Sequence, residues 1–177
     1  MNLMDILNSA TGAGANQAIA ANLGLDQGQA KAVMDKLIPA LGAGLKKNAA
    51  QPGGMEAMVK ALQNGGHSRY LKDPAALTGA AGIQDGNAIL GHIFGSKQVS
   101  RDVAARAAES TGVDYGVIKQ MLPMLAATLM GAMGQQSQSA AGSGGNPAGL
   151  LGSLLDSDGD GSVADDLLGM AGKFFGR

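Results

Sequence analysis

Apolar residues recur along most of this chain at spacings of three and four, and the alternation of a half-buried strand is absent. The clearest stripe is Ala30, Val33, Leu37, Leu41 and Leu45, widened by Met34 and Ile38. It predicts a long amphipathic helix beginning after Asp26, whose carboxylate is placed to accept from free N–H groups of the first turn. A second stripe follows Asp114 with Val117, Ile118, Met121, Leu122, Leu125 and Leu129. Weaker helical segments are predicted over Met55–Leu62, Ala75–Ala80, Asn87–Phe94 and Val99–Ala108. Asp73-Pro74 has the form of an N-cap followed by proline at the first helical position.

The two long stripes are related. Leu37-Ile38-Pro39-Ala40-Leu41-Gly42-Ala43-Gly44-Leu45 aligns with Met121-Leu122-Pro123-Met124-Leu125-Ala126-Ala127-Thr128-Leu129, and Leu23-Gly24-Leu25-Asp26 aligns with Thr111-Gly112-Val113-Asp114. The two offsets differ by four residues, close to one turn, so the apolar face stays within about 40° of its register. The pattern predicts a duplicated helix pair joined at a glycine. Each long helix carries an internal proline, which removes a backbone hydrogen bond and predicts a kink or break at the same repeat position. Small residues at Ala40, Gly44, Ala127 and Gly131 suit close helix contacts.

Gln135–Asn146 loses the periodicity and is rich in Ser, Gly and Gln, the composition of a flexible linker. The expected organisation is all-α: a multi-helical body over 1–134, a linker over 135–147 and a small helix-loop-helix over 148–177.

Composition then narrows the chemistry. There are 29 Gly and no Cys, which excludes disulfides, thiolate zinc sites, iron–sulfur clusters and cysteine nucleophiles. A net charge of −1 with only three Phe and two Tyr lacks both the basic patch and the stacking platform of a nucleic-acid binder. No basic residue precedes Asp5 and no long apolar stretch follows, so a secretion signal is not predicted and a cytoplasmic location is expected. The longest uncharged apolar run, Met121–Gly134, is too short for the roughly 20 residues of a membrane span. Its methionines, Met121, Met124, Met130 and Met133, suit core packing or, alternatively, an adaptable partner groove.

The strongest site signal is Asp156-Ser-Asp158-Gly-Asp160-Gly161-Ser162-Val163-Ala-Asp165-Asp166. Calcium takes six to eight oxygen ligands. Acids at loop positions 1, 3 and 5 converge on one point when the backbone turns sharply at position 6, where Gly161 stands. Ser162 offers its carbonyl at position 7, and Asp165 or Asp166 would close a shortened loop. The stretch resembles an EF-hand or dockerin-like calcium loop, with Leu167 at position 12 in place of a bidentate acid. The alternative is an acidic turn without metal. Calcium is thus the expected cofactor, held by Asp156, Asp158, Asp160, Ser162, Asp165 and Asp166.

Other polar motifs are weaker. Thr11-Gly12-Ala-Gly14-Ala-Asn-Gln17 lacks the third glycine and the preceding strand of a dinucleotide fingerprint. His67-Ser68-Arg69-Tyr70-Leu71 is the one cluster of catalytic residue types, and His92 sits within Ile89–Phe94. No nucleophile-elbow or acid-pair signature accompanies them, so both histidines are expected to be hydrogen-bonded packing residues.

Gly86-Asn-Ala-Ile-Leu-Gly-His92-Ile-Phe-Gly-Ser96-Lys97, continuing through Val99–Val103, together with Met121-Leu122-Pro123-Met124-Leu125 and His67–Leu71 before Asp73-Pro74, resembles the bacterial YidB-like family of unknown function. The resemblance covers about residues 1–134 and implies an all-α, multi-helical domain; it brings no activity or catalytic residues. The expected function is a non-enzymatic helical interaction protein whose C-terminal segment binds calcium. Self-assembly into oligomers or filaments and an enzyme of unknown reaction are the alternatives. Expected partners are a protein or a second copy, with peripheral membrane contact available to the C-terminal segment.

Overall fold

The computed structural model describes residues 16–64 and 66–142, and every element among them is helical. A short helix α1 occupies residues 16–22. It is followed by α2 (Gln27–Ala49), α3 (Gly54–Asn64), α4 (Arg69–Lys72), α5 (Ala75–Thr78), α6 (Ala80–Phe94), α7 (Lys97–Thr111) and α8 (Tyr115–Gly142).

The fold is organised around α8, which packs against α2, α3, α4, α5, α6 and α7. The uncharged run Met121–Gly134 is buried at all of its positions, so this helix has no solvent face over four turns. By length and composition α8 qualifies as a membrane span, because the helix extends well beyond the uncharged run; most of that apolar stretch is buried inside the fold. The four methionines of the run are core residues, which leaves them no part in a surface groove. Thr128 is tolerated there because its hydroxyl donates back to the Met124 carbonyl at 2.8 Å.

The predicted duplication is visible in the backbone. Gly24 and Gly112 both adopt left-handed φ values, +67° and +72°, each ending one helix before the next begins. A Cβ at either position would meet nothing within 4 Å, so the requirement for glycine there is handedness alone. Leu25 N–H donates to the Ala20 carbonyl at 2.9 Å in the first corner, and Gly112 N–H to Ala108 at 2.9 Å in the second. An aspartate then caps each long helix. Asp26 accepts from Gln29 N–H at 2.8 Å while the Gln29 side chain accepts from Asp26 N–H at 3.3 Å, forming a capping box. Asp114 accepts from Gly116 and Val117 N–H at 2.8 and 3.3 Å. Both helices are continuous from cap to shared segment, so the four-residue difference is one extra turn at the start of α2.

The copies have diverged in burial. Leu37, Ile38, Leu41, Gly44 and Leu45 are buried, as are their counterparts Met121, Leu122, Leu125, Thr128 and Leu129. Pro39 and Ala43 are exposed, whereas Pro123 and Ala127 are buried. α2 keeps one apolar face and α8 has become apolar all round. Neither proline breaks its helix.

Two further expectations change. The linker was expected from residue 135, but α8 continues to Gly142 and buries Ser137, whose hydroxyl donates to the Gly134 carbonyl at 2.9 Å. That local bond explains how a Ser- and Gln-rich stretch stays helical. Asp73 accepts from Ala75 N–H at 3.1 Å, but Pro74 stands at the N-cap position, not the first helical one, and the helix is a single turn ending at Thr78.

α6 and α8 approach each other closely. A Cβ on Gly86 would collide with the backbone carbonyl of Pro123, a neighbour that cannot rotate away. Gly91, one turn further along α6, has open space where its Cβ would stand. Gly86→Ala is therefore expected to destabilise the fold by about 1–3 kcal/mol. Gly91→Ala is expected to stabilise it by roughly 0.5–1 kcal/mol. Urea unfolding of the two variants beside the parent checks both signs.

Candidate functional site

The only Tyr–Arg–Asp–His grouping among the described residues forms where the turn 66–72 lies over α6. Tyr70 is buried, and its hydroxyl donates to Asp85 Oδ2 at 2.5 Å. Arg69 Nη2 donates to the same carboxylate oxygen at 2.5 Å and to the Tyr70 oxygen at 2.7 Å. The guanidinium carbon also stands 4.8 Å from the Tyr70 ring centroid, a cation–π contact. His67 stacks on the same Tyr70 ring, with centroids 6.3 Å apart and planes within 18°.

These groups are consumed by one another. The hydrogen bond from Tyr70, then the charge of Arg69, hold the Asp85 carboxyl below its usual range against some desolvation. Burial pushes the Tyr70 hydroxyl up, and donating to a carboxylate adds to the effect. Burial pushes His67 below the ordinary imidazole value of 6.5, with Asp85 opposing and Arg69 assisting. His67 Nδ1 is buried with no hydrogen-bond partner, so the ring is a packing residue but not the hydrogen-bonded one expected. His92 departs further from expectation: it is exposed on α6, seven residues or roughly 10 Å of rise beyond Asp85. Asp85 itself was missed in the sequence because sixteen residues separate it from Arg69. Its signal was available, as the only Asp, Glu, Lys or Arg in α6.

A second place with chemistry lies between α6, α7 and α8. A cleft of about 340 Å³ has Leu90, Gly91 and Leu122 among its walls. Lys97 and Arg101 of α7 and Lys119 of α8 line it, with the polar side chains of Asn87, Ser96 and Ser100. No Asp or Glu is among its described lining residues. Ser96 caps α7, its hydroxyl accepting from Val99 N–H at 3.3 Å.

The calcium-loop residues Asp156, Asp158, Asp160, Ser162, Asp165 and Asp166 lie outside the described residues, as does the glycine-rich Thr11–Gly14 segment. Among the described residues, no group of three or more His, Asp or Glu is placed to hold a metal ion.

The polar cluster makes stability pH-dependent with a definite sign. The lowered His67 value means the folded state binds its proton less readily than the unfolded state. Its contribution is complete above 6.5 and is lost as pH falls below that value. The lowered Asp85 value adds a second loss in the carboxylate range, as pH falls through its folded-state value. Urea midpoints against pH should therefore fall in two steps, with His67→Gln removing the upper and Asp85→Asn the lower. At neutral pH, Tyr70→Phe should cost about 1–2 kcal/mol, since the lost bond is to a partly exposed charged acceptor.

No curated protein and no solved structure matches the chain. A family described as a bacterial protein of unknown function (DUF937) matches residues 5–136, a span that includes both corners of the duplication, the Tyr70–Asp85 cluster and the basic cleft. Three quarters of the sequence lies in that match, and the chain belongs to this family of bacterial proteins of unknown function.

Proposed function

We propose that this protein is a non-enzymatic interaction protein, a helical body with a calcium-binding C-terminal segment, and that within its family it stands with the YidB-like members. One observation in the body supports the first part most directly. The only Tyr–Arg–Asp–His cluster among the described residues is built of mutual contacts: Tyr70 and Arg69 both donate to Asp85 Oδ2, Arg69 also donates to Tyr70, and together they pin a turn to α6. A group poised for acid–base work keeps a free site aimed at substrate. This one instead holds structure.

The second part is supported by the Asp156, Asp158, Asp160 spacing before Gly161. Calcium there neutralises Asp156, Asp158, Asp160, Asp165 and Asp166 and accepts the Ser162 carbonyl. It thereby lets Leu167, Leu168, Phe174 and Phe175 gather into an apolar surface that docks a protein partner. With Leu167 at position 12, binding is weak, on the order of 10⁻⁴–10⁻³ M, the range of extracellular modules rather than sensors.

Calcium titrated into the full chain should release or take up heat and raise the helical circular dichroism signal. Asp158→Asn combined with Asp160→Asn should abolish both. Absence of heat and of helix gain in the parent protein rejects the calcium reading.

A further inference from the structure

We propose that the cleft between α6, α7 and α8 is a binding site for a small phosphate monoester carrying an apolar body. The first argument is the placement of charge at the start of α7. The N-terminal end of a helix is its positive end and favours Asp and Glu in the first turn. α7 has none there, and places Lys97 at its first position and Arg101 one turn later. Like charges four residues apart on one helix face repel. Lys119 of α8 adds a third cation to the same opening.

Among the described residues, none of the three is paired with a carboxylate. The two ion pairs among the described residues are Lys31–Asp35 and Arg69–Asp85, both elsewhere. The nearest acid in sequence, Asp102, accepts from Gln98 at 2.9 Å and does not line the cleft. Two rules of helix electrostatics are thus broken, and a third cation is added, toward one small volume; such violations are tolerated where a ligand repays them. A dianion answers all three cations lining the cleft. Arg101 provides the planar fork suited to phosphate oxygens, with Lys97 and Lys119 as point charges.

The second argument concerns the rest of the ligand. Leu90 and Leu122 give the cleft an apolar wall, and Gly91 leaves it unobstructed because it has no side chain. The volume of about 340 Å³ sits at the small end of the usual range for ligand pockets, about 300–1,000 Å³. That suits a phosphorylated metabolite-sized molecule with a hydrocarbon portion, and it is too small for a duplex or a folded partner.

The proposal is independent of the calcium segment and is tested without calcium. Octyl phosphate titrated into the full-length ¹⁵N-labelled chain should shift the amides of residues 96–101 and 119–122. Lys97→Gln, Arg101→Gln and Lys119→Gln together should weaken binding at least about tenfold, which is about 1.4 kcal/mol. Gly91→Leu should block it by filling the wall, with the circular dichroism spectrum of each variant confirming the fold. Lys36→Gln, an exposed position of α2 that does not line the cleft, should bind as the parent does. Pyrophosphate and octanoate separate the two halves of the ligand, and each should bind more weakly than octyl phosphate. Shifts dispersed over other helices, no binding, or binding untouched by the triple substitution overturns the site. Octanoate binding as tightly as octyl phosphate overturns the assignment of phosphate, and pyrophosphate binding as tightly overturns the apolar body.

Discussion

The contact on which the fold depends is the approach of α6 to α8 at Gly86 and Pro123. α8 is apolar all round, so it needs cover on every side, and cover by helices requires backbones to come close. Gly86 permits this by presenting only hydrogen where the Pro123 carbonyl stands. Gly131, on the same central helix, does likewise toward the carbonyl of His67, 2.6 Å from where a Cβ would be placed. Close approach substitutes for large aromatic side chains: among the described residues the core is Leu, Met, Ile, Ala and Val with Tyr70 as the single buried aromatic. Dispersion between many small neighbours at short range then does what a few large rings do elsewhere.

Seen from that contact, the duplication has a physical logic. Two copies of one helix pair cannot both occupy the centre of a single-layer cluster. α2 retained polar positions at Asp35, Lys36 and Lys47 and lies at the edge, packing on α6 and α7. α8 lies inside, burying Pro123, Met124, Ala126 and Ala127 where the matching Pro39, Ala40, Gly42 and Ala43 of α2 are exposed or half-buried. What stayed common is the corner: a left-handed glycine, an apolar residue and a capping aspartate. That is the part that fixes where a helix begins and so cannot drift without shifting every side chain after it.

The corners and the long helices were legible in the sequence because their signals are local. Asp26, Asp114, Gly24 and Gly112 each act on residues within one turn. The path of α8 past residue 134 was not legible, because Gln135–Ser139 reads as linker by composition and its helicity depends on burial of Ser137 and on hydroxyls that donate back along the helix. The polar cluster was half legible. Arg69 and Tyr70 stand together in the chain, while Asp85 joins them only through the packing of a turn on α6. The basic cleft was missed for the same reason, since Lys119 reaches Lys97 and Arg101 only when α7 and α8 fold back at Gly112. No local pattern shows that acids are absent from a three-dimensional opening.

The burial of α8 on all sides also bears on how the chain is made. Synthesis runs from the N-terminus, and the centre of this fold is the last of its described helices. Until Tyr115–Gly142 has emerged, α6 and α7 lack the helix that covers much of their apolar surface. At about 5–20 residues per second, the final helix alone takes a second or more to appear. During that interval the unfinished chain is a set of sticky amphipathic segments, and the segment that completes it is hydrophobic enough to be mistaken for a membrane span. The layout therefore leaves the described body without its central helix until Tyr115–Gly142 has been made.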